Sequence, residues 1–291
     1  KVESFYSMFT QLPEFVDGYT YASMANEAKT TRNQEPLYQP EELELFRLGL
    51  DTDLYPDVDW MDLMLRDGAW STRASLNMTG GGKTARYYVG GSYQDQQGMY
   101  KTDKSLKNYN TNANFRKWTY RMNVDIDITK TTLLKVGVSG SLKKVNEPGL
   151  GGDIWHSIMG QTPISIPLVY SNGYIPAYGT GNQTNPWVLA TQTGYNEVWE
   201  NKIQTNVTLE QKLDFITKGL SFVGRFGYDT NNKNNIKHEK WPEQWKAQRF
   251  RDENGELVFE RISTEQKMRI SSGASGERLE FFEAILQYDR G

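Results

Sequence analysis

Residues that commonly carry catalysis or bind metals are few in this sequence. The chain of 291 residues has no cysteine and two histidines, His156 and His238. Neither histidine has a serine or a carboxylate at a spacing typical of a catalytic group, so each is predicted to be a solvated loop residue. The lack of cysteine excludes disulfides, thiol catalysis and thiolate metal sites together. The sequence therefore predicts no catalytic residue and a protein that is not an enzyme.

Four aspartates in the segment DTDLYPDVDW could offer oxygen ligands to calcium. Their spacing does not match a twelve-residue calcium loop. Helix caps and solvated turn carboxylates are the alternative roles for such residues. We therefore predict no metal site. Calcium binding stays an alternative at these four aspartates, which are Asp51, Asp53, Asp57 and Asp59.

A long irregular segment, roughly residues 145 to 198, holds the best candidates for ligand binding. It is rich in glycine, asparagine, proline and aromatic residues. Aromatic faces stack on the apolar faces of sugars and amides bond hydroxyl groups, so this mixture suits a neutral polar ligand. The alternative is that these side chains fold the loop on itself or contact another protein. The candidates are Trp155, Tyr170, Asn172, Tyr174, Tyr178, Asn182, Asn185 and Trp187.

The elements that would position these loops are strands with two different faces. From Trp118 to Ile128, apolar residues alternate with polar ones without a break. Other runs of the same kind occur near residues 74–78, 87–93, 134–142, 203–215, 220–229 and 282–288. Period-two alternation predicts strands, so we expect about seven.

The connections between these strands alternate in length. They are tight at Gly80 to Thr84, Thr129 to Thr132 and Ile216 to Gly219, and longer near 95–108, 145–198 and 231–276. Successive turns of an antiparallel sheet lie at opposite ends, so one end has tight turns and the other has long loops. Outer-membrane barrels have this asymmetry, with short periplasmic turns and long extracellular loops.

Two architectures fit the alternation. In a soluble carbohydrate-binding β-sandwich, the apolar faces would pack together. In a transmembrane barrel they would contact lipid, and the polar faces would line the lumen. Strands of about ten residues and aromatics at the ends of the apolar faces favour the barrel. The residues predicted to face the lumen are Arg121, Asp125, Asp127, Glu210, Lys212, Asp214 and Arg225.

The composition agrees with an all-β protein in which one face of the sheet contacts water. Only 37% of residues are hydrophobic, yet 13% are aromatic, and the mean hydropathy is -0.69. A net charge of -3 with no long basic run argues against nucleic acid as a partner. The sequence also lacks an apolar stretch of about 18 residues, as a transmembrane helix would require.

The first 70 residues differ from the rest. Pro40, two glutamates and a following Gly49 predict one short helix, and Asp59 is predicted to cap another. We therefore predict loops and short helices for residues 1–70 and part of a barrel for 71–291. About seven strands would leave open edges, so this is predicted to be a stretch of a larger barrel.

The order and spacing of several segments resemble the SusC/RagA-type TonB-dependent outer-membrane transporters. Among them are LYQPEELELFRLGLDTDLYPDVDW and SLNMTGGGKTARYYVGGSYQDQQGM. The matching segments are Leu37 to Trp60, Ser75 to Met99, Tyr109 to Lys130, Asn185 to Tyr195, Leu209 to Phe222 and Leu286 to Gly291.

The resemblance implies a barrel of about 22 strands closed by a plug, in the Gram-negative outer membrane. It implies a SusD-like surface lipoprotein as a lid, energy from the TonB complex, and a dimer of transporter–lipoprotein pairs in contact with outer-membrane lipid. The substrates implied are oligosaccharides or peptides. Residues 1–70 would then be extracellular, and lumen residues near the tight turns, such as Asp127 and Asp214, would hold the plug.

Overall fold

The computed structural model describes residues 1–106, 109, 111–150, 153–177 and 185–289. That part of the chain contains ten strands and five helices. In chain order they are β1 (Val2–Met8), α1 (Gly18–Thr30), α2 (Pro40–Leu48), α3 (Trp60–Met64), β2 (Gly68–Gly81), β3 (Ala85–Gln96), β4 (Asn114–Asp127), β5 (Thr132–Pro148), α4 (Ile154–Met159), α5 (Pro186–Thr191), β6 (Gly194–Lys212), β7 (Leu220–Trp241), β8 (Gln244–Arg251), β9 (Leu257–Ser263) and β10 (Gln266–Tyr288).

Eight of the strands form one antiparallel sheet, in the order β1-β2-β3-β4-β5-β6-β7-β10. Strands that follow one another in the chain are neighbours in space. The hairpin of β8 and β9 forms a separate small sheet between β7 and β10 in the chain. The seven predicted strands are all present, and the three tight turns lie at one end of the sheet.

The structure also contains strand segments that the alternation did not predict. β1 pairs with β2 from Val2 opposite Ala74 to Met8 opposite Gly68, so residues 1–70 contain a strand as well as helices. The prediction of a long loop over 231–276 is wrong. β7 and β10 continue through most of it, paired from Trp241 down to Leu220.

Two short helices form as predicted. α2 starts at Pro40 with acidic residues in its first turn, where the helix dipole favours them, and ends at Gly49 with a φ of 61°. The carboxylate of Asp59 accepts hydrogen bonds from the backbone of Met61 and Asp62, which caps α3. None of the helices in the described residues is long and apolar enough to cross a membrane.

The main sheet has an apolar face and a polar face, and neither is covered by a second sheet in the described ranges. Leu76 is 77% exposed and Phe282 is 74% exposed. A soluble sandwich would bury such side chains between two sheets. The structure therefore does not have the sandwich architecture.

The band of apolar side chains crosses the strands obliquely. Followed across the paired strands β2 and β3, Val2 of β1 lies at the same level as Trp118 of β4. Followed across β7, β6 and β5, Phe282 of β10 lies at the same level as Val124 of β4. The band thus shifts along the strands from one sheet edge to the other. Strands that tilt against a flat apolar layer produce this shift, as they do in barrels.

Most of the hydrophobic core lies in the loops and helices at the loop end of the sheet. Its buried members belong to α3, α4, α5 and the segments beside them, and they pack into one cluster. We call this cluster, together with the other helices and loops at that end of the sheet, the loop layer. The cluster contains Trp60, Met61, Met64, Leu65, Ile154, Ile158, Ile166, Leu189 and Ala190.

Candidate binding loops and interior face

Two of the predicted ligand residues are part of the framework of the loop layer. Tyr170 is 4% exposed, and its hydroxyl accepts a hydrogen bond of 3.1 Å from the backbone N–H of Ala247. Asn185 is 1% exposed. Its Nδ2 donates to the carbonyl of Pro176 at 3.1 Å, while its Oδ1 accepts from the backbone of Trp187 and Val188. These bonds fix the loop and cap α5.

Tyr174 presents an aromatic surface to solvent. Its ring stacks on Trp245 of β8, with centroids 4.6 Å apart and planes at 14°, and meets Phe259 of β9 edge-on at 5.2 Å. The side chain stays 39% exposed. The β8–β9 hairpin therefore holds Tyr174 rigidly from one side. Sequence reasoning missed Trp245 and Phe259, because the hairpin lies about 70 residues further along the chain.

The other predicted loop residues lie in separate places. Asn172 is exposed, and its Oδ1 accepts from the backbone N–H of Tyr174 in a local turn. Trp155 is exposed on α4. Trp187 packs against the hydrophobic cluster. Tyr178 and Asn182 lie outside the described residues.

A cleft of about 320 Å³ opens beside Asn172, between the α2–α3 connection and the β8–β9 hairpin, and it is lined by Phe259, the edge-on neighbour of Tyr174. We call it the loop cleft. Arg251 spans it, with Nη2 2.7 Å from the Oδ2 of Asp51. Its lining residues are Leu50, Asp51, Thr52, Asp53, Ser171, Asn172, Arg251, Glu256, Leu257 and Phe259.

The four aspartates considered for calcium point to separate partners. Asp51 pairs with Arg251, and Asp53 accepts from the backbone N–H and the hydroxyl of Ser171. Asp57 accepts from the backbone of Gly18 at 2.7 Å, and Asp59 caps α3. Within the described residues, no group of three histidine, cysteine or acidic side chains could hold a metal ion. The structure does not bring these carboxylates together as a site.

The local environment shifts two pKa values around the loop cleft. The hydrogen bond and charge of Asp51 raise the pKa of Arg251 above its usual value. Burial raises the pKa of Tyr170, partly offset by the hydrogen bond from Ala247. Arg251 is thus a permanent cation at the cleft, and Tyr170 stays neutral at physiological pH.

The polar face of the sheet carries a belt of charges near the tight turns. Arg86, Asp125, Lys135, Arg225 and Glu283 lie at one level of the strand register, with Thr208 between the second and third cations. Ion pairs cross between neighbouring strands in this belt. They join Arg86 to Asp127 at 3.0 Å, Lys135 to Glu210 at 2.6 Å and Arg225 to Glu283 at 2.7 Å.

Most of the predicted lumen residues share this face. Arg121, Asp125 and Asp127 alternate with the apolar residues of β4, and Glu210 and Lys212 do so on β6. Asp214 does not lie on a strand: β6 ends at Lys212, and the Oδ1 of Asp214 accepts from the N–H of Gly219 inside the turn. Its role in the structure is to close that turn, where Gly219 has a φ of 87°.

Comparisons with known proteins agree with this architecture. TonB-dependent receptor P3 of Formosa agariphila is 28% identical over 188 aligned residues, and the alignment covers 60% of this chain and 17% of that receptor. The RagAB peptide importer in its open-open state matches 99% of this chain with a TM-score of 0.59 and 14% identity. Another solved RagAB peptide transporter matches 97% with a TM-score of 0.56 and 13% identity. No family model matches the chain.

These likenesses confirm the resemblance to TonB-dependent outer-membrane transporters. The sheet has the fold of a wall segment of an antiparallel transmembrane β-barrel. The matches are to a receptor and to transporters, which fits a protein that is not an enzyme. The chain spans 17% of the curated receptor and 40% of each solved transporter chain.

Proposed function

We propose that this chain is part of a TonB-dependent importer that carries oligosaccharides or peptides across the outer membrane. The observation that supports this most is the division of its apolar residues. The sheet exposes a bare apolar band, while the hydrophobic core lies in a folded layer at one end. A membrane wall that carries a structured binding layer is what an importer requires.

The two edges of the sheet imply more of the wall. β1 and β10 each have a partner on one side, and unpaired backbone groups are not tolerated against lipid. Further strands of the same barrel are therefore expected to continue from both edges. The tight turns would face the periplasm, and the loop layer would face outward from the cell.

In this mechanism, substrate first binds at the loop layer. Tyr174 offers a stacking face, and the amide of Asn172 and the charges of the loop cleft offer hydrogen bonds. These groups are held by the hairpin and by the ion pair of Arg251 with Asp51. They could recognise the hydroxyls of an oligosaccharide or the backbone and termini of a peptide.

Exposed apolar residues on the loop layer suit a partner that closes over the substrate. They lie on α1, around α2 and in the segment before α1. A group of such residues on an otherwise polar surface is typical of a protein interface. We assign it to a SusD-like surface lipoprotein that acts as a lid, within a dimer of transporter–lipoprotein pairs. The residues are Phe15, Val16, Tyr19, Tyr21, Met24, Leu37, Leu48 and Leu50.

The charge belt on the polar face would contact the plug that closes the barrel. Its ion pairs are exposed to the lumen, so they can exchange partners with polar groups of a plug at low cost. Pulling by TonB would then disturb these contacts and open a path for the bound substrate.

An uptake assay tests this proposal. Host cells with and without the gene, and with and without TonB, receive fluorescent peptides of random sequence or fluorescent oligosaccharides. We expect one class to accumulate only when both the gene and TonB are present. Equal accumulation in the deletion strain, or accumulation that does not need TonB, would overturn the proposal.

A further inference from the structure

A second pocket lies on the apolar side of the sheet, away from the lumen. In β4 and β5, the outward-facing residues are apolar or glycine up to Trp118 and Leu142 and become polar at the next ones, Arg116 and Lys144. In β6, where Thr205 and Asn201 already interrupt this face, the last apolar side chain is Trp199 and Glu197 follows it. A pocket of about 320 Å³ opens at this boundary, which we call the rim pocket. It is lined by Tyr109, Asn114, Arg116, Lys144, Asn146, Tyr195 and Glu197.

The register places these side chains on the outside of the barrel wall. Arg116 pairs directly with Lys144, and Lys144 pairs with Trp199. All three share a face with Trp118, because they alternate with Lys117 and Lys143 on the polar face. The rim pocket is thus level with the head groups of the outer leaflet, and substrate in the lumen cannot reach it.

The rim pocket contains cations that are oriented by their neighbours. Lys144 Nζ lies 2.8 Å from a carboxylate oxygen of Glu197 and 4.6 Å from the ring centre of Trp199. Asp95 contacts Arg116 through its Nε at 3.4 Å, so the two Nη groups of the guanidinium remain directed elsewhere. Lys240 lies 5.2 Å above the ring of Tyr109. The lining itself holds two cations, Arg116 and Lys144, and one carboxylate, Glu197, so it has an excess of one positive charge.

Aromatic rings form the other wall of the rim pocket. Tyr109 stacks on Tyr195 with centroids 5.7 Å apart, and Tyr195 stacks on His238 at 4.4 Å. The hydroxyl of Tyr109 and Nδ1 of His238 are buried without a hydrogen-bond partner in the described residues. Buried polar atoms normally find a partner, so these two are places for an ordered water behind the ring wall.

We propose that the rim pocket binds the phosphorylated sugar head group of an outer-leaflet glycolipid. Arg116 and Lys144 would bind the phosphate by charge-assisted hydrogen bonds. The stacked rings and asparagine amides would bind the sugar ring and its hydroxyls. The acyl chains would continue down over Trp118 and the apolar band, which begins directly below. This assignment rests on the outer-membrane location and is independent of the transport proposal.

Binding of purified lipids to the whole protein that contains this chain tests the proposal. Native mass spectrometry in detergent would compare a bis-phosphorylated glucosamine lipid, phosphatidylglycerol and inorganic phosphate. The test variant is Arg116→Gln with Lys144→Gln. The matched control is Lys117→Gln with Lys143→Gln, which changes the same two strands at the same height on the other face. A heat-dependent shift in gel mobility verifies that each variant is folded.

We expect the glycolipid to bind the parent protein and the control equally, and the test variant at least about 10-fold more weakly. Phosphatidylglycerol and inorganic phosphate should bind the parent protein no more tightly than the glycolipid binds the test variant. If the test variant fails to fold, Tyr195→Leu removes the central ring and should weaken glycolipid binding. Unchanged glycolipid binding in the folded variants, or equal binding of phosphatidylglycerol, would overturn the proposal.

Discussion

The Nζ of Lys135 lies 2.6 Å from the Oε1 of Glu210, across the pair of strands β5 and β6. The preceding residue on each strand, Leu134 and Leu209, forms a direct pair on the opposite face. One step along the chain thus changes the neighbour from an ion pair to an apolar pair. This alternation determines what each side of the wall can contact.

A charge placed on the apolar band should destabilise the barrel, whereas the same charge one residue away should not. Met122 lies at the middle of the band on β4, and Asn123 lies on the polar face. We expect Met122→Arg to cost about 2–4 kcal/mol of folding free energy, because the guanidinium would face lipid. Asn123→Arg, the control, should change it by less than about 1 kcal/mol. Urea titration in lipid vesicles measures both, and equal losses would contradict the assignment of faces.

Removing the amide of Asn185 should loosen the loop layer. In Asn185→Ala, the backbone N–H groups of Trp187 and Val188 lose the acceptor that caps α5. Pro176 keeps a donor from Gln244, so we expect a cost of about 1–2 kcal/mol. Hydrogen exchange over residues 185–193 should become faster. Asn172→Ala removes one exposed turn bond and serves as the control; exchange that accelerates equally in both variants would argue against a framework role for Asn185.

The start of α1 should loosen in acid. The hydrogen bond from the backbone of Thr20 lowers the pKa of Asp17 below its ordinary value of 3.8. A lowered pKa means that the cap stabilises the helix above that ordinary value and is lost as pH falls through the folded-state pKa. Because Asp17 is exposed, the effect should not exceed about 1 kcal/mol.

Exchange of the α1 amides, corrected for intrinsic rates, measures this loosening between pH 6 and pH 3. Asp17→Asn keeps an acceptor at the cap but does not titrate. Its exchange should show no such acid transition. A transition of the same size in that variant would show that another group causes the loosening.

The exposed ring of Tyr174 should matter for substrate more than for stability. Tyr174→Ala removes the exposed ring that packs against Phe259 of the loop cleft. We expect a rise in the KM of uptake of about 5-fold, equivalent to about 1 kcal/mol of aromatic contact. Tyr170→Phe removes a buried bond to Ala247 and should leave the KM unchanged while it lowers loop stability. An unchanged KM in Tyr174→Ala would exclude this ring from the substrate site.

Strands that cross the apolar band were predictable from the sequence, and strands above it were not. Between Trp118 and Ile126, one face meets lipid and the other meets water, so the two faces require different residue types. Above the band, in the part of β7 beyond Thr230, both faces are polar and the alternation disappears. That segment is a strand because it pairs with β6 and β10. β1 also depends on a distant partner, since the residues that it pairs with in β2 lie 60 to 72 positions further along the chain.

The loop site was predictable in composition but not in geometry. The aromatics and amides lie in the predicted segment, yet Tyr170 and Asn185 turned inward because of contacts with Ala247 and Pro176. Arg251, the cation of the loop cleft, lies on β8, in a segment for which the sequence predicts a long loop. Local patterns do not show which distant segment will cover a side chain.

Nitroxide scanning along β4 tests the central claim most directly. The chain has no cysteine, so single cysteines at residues 118 to 127 of the whole protein, with any other cysteine replaced, can be labelled and reconstituted in lipid vesicles. Collision with oxygen, which concentrates in lipid, should peak at Trp118, Tyr120, Met122, Val124 and Ile126 and fall at the residues between them. Oxygen accessibility without a two-residue period, or with its peaks at Asn123 and Asp125, would contradict a membrane wall whose apolar face contacts lipid.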